Sequence, residues 1–173
     1  NDGVDAIMEI GFPGGYGFYG VADILSGEAN PSGHLTDTYA VTNANSPAAQ
    51  NFGNYEWTNA DPSVNINAEE VEAEDIYTGY KYYETRYADT VLGQGNADAT
   101  VGSSTGKAWD YDNEVSYPFG YGLSYTTFTQ EMGAISEDNG TISFDVTVTN
   151  TGDVAGKDVV EVYYNPPYTN GGI

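Results

Sequence analysis

The stretch that decides the fold reads VDAIMEIGFPGGYGFYGVADILSGEANPSG and runs from Val4 to Gly33. A short apolar run at residues 6–10 predicts a β-strand, and a glycine-dense loop follows at residues 11–17. Residues 18–25 then carry apolar side chains at helical spacing. Gly27 predicts the end of this helix, because glycine readily adopts the left-handed conformation that a helix end requires. Strand, loop and helix indicate one unit of an α/β sheet, where ligands bind beyond the carboxyl ends of the strands.

The glycine loop contains a sequence that resembles a dinucleotide-binding fingerprint. Gly15, Gly17 and Gly20 spell G-x-G-x-x-G, and Asp37 follows at about the distance of a ribose-binding acid. The fingerprint also requires a second buried strand before the acid, whereas residues 30–36 are turn-like and mostly polar. We therefore favour a packing role for these glycines, in which they let the helix and the loop lie close to the sheet. No cofactor is predicted.

The composition restricts the class of protein. The 173 residues suit one ordinary domain or parts of two, and the absence of cysteine excludes disulfides and thiolate metal sites. Acidic residues outnumber basic ones by 26 to 4, so the net charge of −22 disfavours binding to nucleic acids and to anionic membranes. No apolar run is long enough to span a membrane, and no signal peptide is recognisable. The abrupt start before a strand suggests the interior of a longer protein.

Polar and aromatic segments alternate in the middle of the chain. Residues 41–68 are predicted to form a long surface excursion with aromatic anchors. The acidic run at residues 69–75 is predicted to be a solvated face beside Lys81 and Arg86. Residues 76–83, IYTGYKYY, predict a strand. Residues 88–116 indicate an insertion or flexible loop. Its end, residues 110–114, resembles a calcium loop but lacks the required glycine and final glutamate, so no metal site is predicted.

The last third of the chain predicts β-structure. Residues 117–128, YPFGYGLSYTTF, indicate a sharp crossing between two bodies. Apolar residues then alternate from Ile142 to Val148 and again from Val160 to Tyr164, as in half-buried strands of a sandwich. Asn139-Gly140-Thr141 forms a turn and a formal glycosylation sequon. The fold class predicted is α/β plus β, with boundaries at 1–40, 41–124 and 125–173.

Four segments, in order, resemble motifs of glycoside hydrolase family 3. Pro13-Gly14-Gly15 followed by VADILSGEANPSGHL at residues 21–35 resembles the last part of the family's α/β sandwich domain. Residues 76–83 resemble its GxxxGYRYY segment and residues 117–128 its YPFGxGLSYTTF signature. Residues 146–160 are similar to its fibronectin type III-like domain. The chain is thus identified as the end of the α/β sandwich domain and the start of the fibronectin-like domain, with residues 41–68 and 88–116 as insertions.

The resemblance implies a retaining β-glycosidase that acts on a β-linked oligosaccharide or glycoside. In this family the nucleophile is an Asp of a separate barrel domain, and the acid/base Glu lies upstream of the part that resembles this chain. Neither can be assigned to a residue here, so no catalytic residue is predicted. We expect the chain to supply scaffold and part of the sugar-pocket wall through Phe12, Tyr16 and Tyr19, and to partner the remaining barrel and α/β domain. The family usually has an acid or amide where this chain has Tyr16.

Two functions remain open at this point. The chain is either part of a β-glycosidase, with β-glucosides favoured, or a non-catalytic carbohydrate-binding or surface module. Acidity and the lack of cysteine favour an extracellular or cell-envelope location, although an acidic cytoplasm fits the same composition. The sugar and its linkage are not specified by these residues.

Overall fold

A computed structural model describes residues 3–53, 72, 74–95 and 100–164. The chain divides into two compact units, the first formed by Asn1–His34 with Gly122–Val162 and the second by Leu35–Tyr121 with Tyr163–Ile173. The chain returns to the first unit at Gly122, within the predicted crossing segment. The finer domain boundaries at residues 40 and 124 stay a prediction.

The first unit contains the predicted helix. Helix α1 spans Gly14–Ser26 and ends at Gly27, whose φ of 83° confirms the predicted left-handed stop. The helix begins four residues before the apolar segment, within the glycine loop. Gly17 is required there, since a Cβ on it would lie 2.7 Å from the Cβ of Pro13. Gly15 and Gly20 have no such neighbour. The predicted packing of the three glycines against a sheet is therefore not found among the described residues, and Gly17 lies close to its own loop instead.

The predicted strand at residues 6–10 is not found. These residues form no β-ladder with any other part of the described chain, and Ile7 is 75% exposed. A strand exists only through hydrogen bonds to a neighbouring strand, and the described residues supply none here. The β-strand predicted for residues 6–10 is therefore wrong for the described chain.

In the part of the chain that the structure describes, the second unit contains a two-stranded sheet, three short α-helices and a 3-10 helical turn at Asn43–Asn45. Strand β1 (Tyr39–Ala40) pairs antiparallel with β2 (Val115–Tyr117), and the helices are α2 (Pro47–Asn51), α3 (Tyr80–Arg86) and α4 (Tyr111–Glu114). A π-helical turn, Tyr87–Val91, continues α3. The buried apolar core consists of Tyr82, Tyr83, Trp109 and Val115.

Two predictions for this unit are wrong. Residues 76–83 do not form a strand, because Tyr82, Tyr83 and Arg86 lie on one buried face of α3 and Gly79, with φ of 54°, starts the helix. The flexible-loop alternative for residues 88–116 is wrong, since their described part contains most of the π-helical turn, α4 and β2, whereas the insertion alternative stays a prediction. The surface excursion at 41–68 is described only to residue 53, where it carries α2, and the rest lies outside the described residues.

Four strands complete the first unit. β3 (Phe128–Met132) pairs antiparallel with β6 (Val146–Asn150), and β4 (Ser136–Asp138) with β5 (Thr141–Ser143). The single strand predicted from Ile142 to Val148 is thus split between β5 and β6. The strand predicted from Val160 to Tyr164 is not assigned, because those residues join no ladder among the described strands.

Asn30 joins three segments of the first unit. Its Oδ1 accepts hydrogen bonds from Ser124 Oγ and from the backbone N–H of Tyr125, each at 2.8 Å. Its Nδ2 donates to the carbonyl oxygen of Ala155 at 3.1 Å. Gly156 lies so close that a Cβ on it would be 2.6 Å from Nδ2. One amide therefore ties the turn after α1 to two later parts of the chain.

Among the described residues, no helix has the length and apolar character needed to cross a membrane.

Candidate functional site

The three residues expected to contact sugar lie at the start of α1. Phe12 stands two residues before the helix, and Tyr16 and Tyr19 lie in its first two turns. Tyr16 and Tyr19, three residues apart, lie on one side of the helix, whereas Phe12 lies in the loop before it. All three are exposed, with relative exposures of 106%, 89% and 72% in chain order. The three residues are thus neighbours in sequence and all reach solvent, and we call them together the aromatic face.

The loop before the helix fixes where this face begins. Gly11 and Gly14 have φ values of 54° and 64°, which residues with a side chain rarely adopt. The backbone N–H of Gly11 donates to Glu9 Oε1 at 2.8 Å, and the N–H of Gly17 donates to the Pro13 carbonyl oxygen at 3.1 Å. These bonds turn the chain directly into the helix and leave the Phe12 ring in solvent.

The rest of α1 is equally uncovered. Phe18 and Leu25, which are seven residues apart, are 60% and 72% exposed on another side of the helix. No residue of α1 is buried. A helix that is apolar on several sides is characteristic of one that packs inside a larger body. The aromatic face is thus one of several apolar sides of this helix.

The first unit also has a half-open cleft of about 330 Å³. Its polar lining includes His34, Gln130, Lys157 and Asp158. Gln130 Nε2 donates to Asp158 Oδ2 at 2.7 Å, so that carboxylate is already engaged. Asp158 is the only carboxyl group among the described residues that line the cleft, which therefore lacks the pair needed for glycoside hydrolysis. The aromatic face does not contribute to this cleft.

The second unit contains a buried polar cluster that the sequence patterns did not predict. Arg86, Asp89 and Glu114 are only 2%, 4% and 3% exposed. Arg86 Nη1 lies 3.7 Å from Asp89 Oδ2, and Arg86 Nη2 donates to the carbonyl oxygen of Val101 at 2.9 Å. The guanidinium carbon lies 5.8 Å from the centre of the Trp109 ring, a cation–π geometry. The sequence placed Arg86 beside a solvated acidic face, whereas the structure buries it.

Glu114, the third buried charged residue, accepts two hydrogen bonds from Ser104. Its Oε1 accepts the backbone N–H of Ser104 at 2.6 Å and the Ser104 hydroxyl at 2.9 Å. Residues 101–109, which we call the clasped loop, are thus held by Arg86 at one end and by Glu114 in the middle, with Trp109 buried at the other end. A buried arginine and glutamate are uncommon without partners. Asp89 is close to Arg86 in sequence, whereas Val101 and Ser104 come from a different segment of the chain.

Burial also perturbs three tyrosines beside the cluster. Desolvation raises the pKa of Tyr83 to about 12, with smaller contributions from Tyr82, Glu114 and Asp37. Desolvation likewise raises the pKa of Tyr82, although the Arg86 charge opposes it. The pKa of Tyr111 is raised by burial and by the hydrogen bond that its hydroxyl donates to Glu84 Oε1 at 2.5 Å. These hydroxyls stay protonated at neutral pH.

The acidic residues considered for a metal or a nucleotide form local hydrogen bonds. Within the described ranges, no three His, Asp or Glu side chains come together in a way that could hold a metal ion. The calcium-like segment at residues 110–114 forms α4, with Asp110 Oδ1 accepting the N–H of Asp112. Asp37 Oδ1 accepts the N–H of Thr38 at 2.8 Å, so this acid caps its own turn.

The family of this chain follows from its similarity to known proteins. Residues 1–125 match the family model described as the glycosyl hydrolase family 3 C-terminal domain. The chain belongs to glycosyl hydrolase family 3. The resemblance to the C-terminal part of this family is thereby confirmed, whereas the fibronectin type III-like character of residues 146–160, beyond the matched residues, stays a prediction.

The relatives within family 3 are much longer than this chain. Beta-glucosidase B of Emericella nidulans is 34% identical over 165 residues, which cover 94% of the chain and 16% of that protein. A probable beta-glucosidase I of Aspergillus flavus is 32% identical over 173 residues, or 95% of the chain and 16% of that protein. A beta-glucosidase structure from Paenibacillus barengoltzii matches at 34% identity and a TM-score of 0.51, covering 79% of this chain and 11% of that one. The chain thus spans about a sixth of the length of these curated relatives.

Proposed function

We propose that this chain is part of a retaining β-glycosidase of the β-glucosidase type, which hydrolyses terminal β-linked sugars. The observation that carries the proposal is the identity of 32–34% to two β-glucosidases over 94–95% of the chain. Identity that extends through nearly the whole chain indicates a shared role for this part of the protein, rather than a single borrowed motif.

In this proposal the catalytic Asp and Glu lie outside the 173 residues. Retaining hydrolysis uses two carboxyl groups about 5 Å apart, one as nucleophile and one as acid and then base. The described cleft presents one carboxylate, Asp158, and it is bonded to Gln130. We propose that this chain serves as a scaffold. Its partners are then a barrel domain and the remaining part of the α/β sandwich domain.

The aromatic face is the part of the chain that we propose contacts sugar. Phe12, Tyr16 and Tyr19 offer flat apolar rings, and the two tyrosines add hydroxyls that hydrogen-bond to a polar ligand. A sugar ring has apolar C–H faces and a polar rim, which this combination suits. We also propose that the strands of residues 128–150 begin a fibronectin type III-like sandwich, which further strands complete.

Hydrolysis of a chromogenic β-glucoside tests the first part of this proposal. We expect turnover by the protein as its gene encodes it and none by residues 1–173 alone. Turnover by the isolated chain would contradict the placement of the catalytic carboxyl groups elsewhere. Absence of turnover from the encoded protein with β-glucosides, β-xylosides and N-acetyl-β-glucosaminides would contradict the assignment to this class of enzyme.

A non-catalytic carbohydrate-binding module is the second candidate, and the solvent exposure of the aromatic face favours it. The mass of the natural polypeptide separates the two candidates. A mass equal to that of this chain, together with binding of a β-glucan without hydrolysis, would support the module. A mass well above it, together with hydrolysis, would support the enzyme.

A further inference from the structure

The turn between β4 and β5 contains an asparagine followed by a glycine, beside two carboxylates. Asn139 and Gly140 connect the two strands with φ values of 49° and 79°, as a two-residue type I′ turn requires. Every residue from Ser136 to Ser143 is exposed, and no third strand joins this pair within the described residues. Because a two-stranded hairpin is only marginally stable in water, this turn opens at little cost.

We propose that Asn139 is a site of spontaneous deamidation, and that the Glu137 carboxylate restrains the reaction. The backbone nitrogen of Gly140 attacks Cγ of the Asn139 side chain and forms a C–N bond. The side-chain nitrogen leaves as ammonia, and the proton of the attacking N–H passes through water to the leaving group. Water then opens the resulting succinimide at either carbonyl, which gives aspartate or isoaspartate. The balance is one water consumed and one ammonia released.

The surroundings of Gly140 favour this attack. Glycine has no side chain to obstruct its own nitrogen, and a Cβ built at this position would have no atom within 4 Å. Water therefore reaches both the attacking nitrogen and the ring that forms. Asn139 is exposed, so its carboxamide is equally accessible.

Glu137 acts in the opposite direction. Its Oε1 accepts the N–H of Gly140 at 2.7 Å, and this is the hydrogen that the nitrogen must lose before it attacks. A carboxylate at this distance also disfavours the negative charge that forms on the nitrogen. Asn139 Nδ2 donates to Asp138 Oδ1 at 3.1 Å, which holds the carboxamide in the folded turn. Both bonds must break before the ring closes.

The product would weaken the hairpin. Aspartate at position 139 adds a negative charge next to Glu137 and Asp138, and like charges so close repel each other. Isoaspartate lengthens the main chain within a two-residue turn, whose length sets the register of Asp138 opposite Thr141. The modification therefore converts an ordered turn into a strained one as the protein ages.

Peptide mass spectrometry of the protein as its gene encodes it provides the test. After incubation in ammonium-free, mildly alkaline buffer, we expect the peptide that contains Asn139 to gain about one mass unit and to split into aspartate and isoaspartate forms. Asn139→Gln should abolish the change, because its longer side chain forms the corresponding ring far more slowly. Glu137→Gln should accelerate it severalfold, whereas the matched control Glu131→Gln, on exposed β3, should leave the rate unchanged.

Two results would overturn the proposal. The first is an unmodified Asn139 in folded Glu137→Gln, in which the restraint is removed, over a time in which a synthetic peptide of residues 134–145 converts. The second is a rate in Glu137→Gln that equals or falls below that of the unsubstituted protein, which would remove the restraint assigned to the carboxylate. Far-ultraviolet circular dichroism of each variant checks that the fold is retained.

Discussion

The guanidinium of Arg86 lies against the face of Trp109, with 5.8 Å between its central carbon and the ring centre, and both residues are at least 97% buried. Trp109 comes from a segment that the sequence indicated to be an insertion or flexible loop, and the sequence placed Arg86 beside a solvated acidic face. Their contact joins α3 to the clasped loop. The stability of the second unit should depend strongly on this pair.

Replacement of Trp109 tests this dependence. Trp109→Ala should lower the free energy of unfolding by about 3–5 kcal/mol, since it removes a large buried ring and leaves the Arg86 charge without its aromatic neighbour. Trp109→Phe should cost far less, because it keeps an aromatic face and because Trp109 Nε1 has no hydrogen-bond partner among the described residues. Urea denaturation measures both. Equal losses in the two variants would contradict a role for the ring face.

Glu114 should control the order of the clasped loop. Glu114→Ala removes the acceptor of two hydrogen bonds from Ser104, and bonds to a charged group are each worth about 1.5–3 kcal/mol. We expect faster hydrogen exchange and faster proteolysis at residues 101–109. Asp112→Ala, an exposed acid on the same helix, is the matched control and should change neither. Unchanged exchange in Glu114→Ala would show that the loop is held by other contacts.

Asn30 should stabilise the first unit through its single amide. Asn30→Ala loses three hydrogen bonds at once, and we expect a loss of about 2–3 kcal/mol in unfolding free energy. Asn30→Asp keeps both acceptor bonds and loses only the donation to Ala155, so its loss should be smaller. Denaturant unfolding compares them. An aspartate variant as unstable as the alanine variant would place the main contribution on the Ala155 bond.

Alkaline pH should destabilise the second unit. The pKa of Tyr83 is about 12 in the folded protein against 10 in the unfolded chain, and those of Tyr82 and Tyr111 are raised as well. The unfolded state therefore loses its phenolic protons first. The contribution of these tyrosines to the free energy of unfolding is fully present below pH 10 and is lost as pH rises from 10 to 12.

Circular dichroism and tyrosinate absorbance, recorded together during the titration, measure this loss. Tyr83→Phe should reduce its steepness, whereas Tyr39→Phe, at a residue that is 45% exposed, should not. A steepness that is unchanged by Tyr83→Phe would contradict the assignment to this residue.

The aromatic face makes a prediction about activity in the encoded enzyme. Tyr16→Ala should raise KM for a β-glucoside about tenfold, equivalent to about 1.4 kcal/mol, with kcat nearly unchanged, because the residue is proposed to bind sugar and not to react. Phe12→Ala and Tyr19→Ala should act in the same direction. Phe18→Ala, on another side of α1, is the control. An equal effect of Phe18→Ala would indicate that the helix acts only through packing.

Local signals in the sequence predicted some elements well. Helix α1 and its stop at Gly27 follow from spacing and from the conformational freedom of glycine, and both are found. The aromatic run at residues 76–83 misled the prediction, because tyrosines favour strands in general but here pack on one face of α3. The tertiary environment outweighed the intrinsic preference.

The buried polar cluster could not be predicted for a different reason. Arg86 meets Val101 and Trp109 only after the chain has folded back, and Glu114 meets Ser104 ten residues away. No local pattern encodes such pairings. The family motifs did predict the kinship, because they preserve whole segments and not single contacts.

The uncovered sides of helix α1 have a practical consequence for any preparation of these 173 residues by themselves. Mutual repulsion from the net charge of −22 keeps such molecules apart at low ionic strength. Salt shortens the range of that repulsion to about 8 Å at 0.15 M, while the attraction between apolar helix surfaces persists. We therefore expect monomers in dilute buffer and self-association when salt is added, measured as a rise in light scattering.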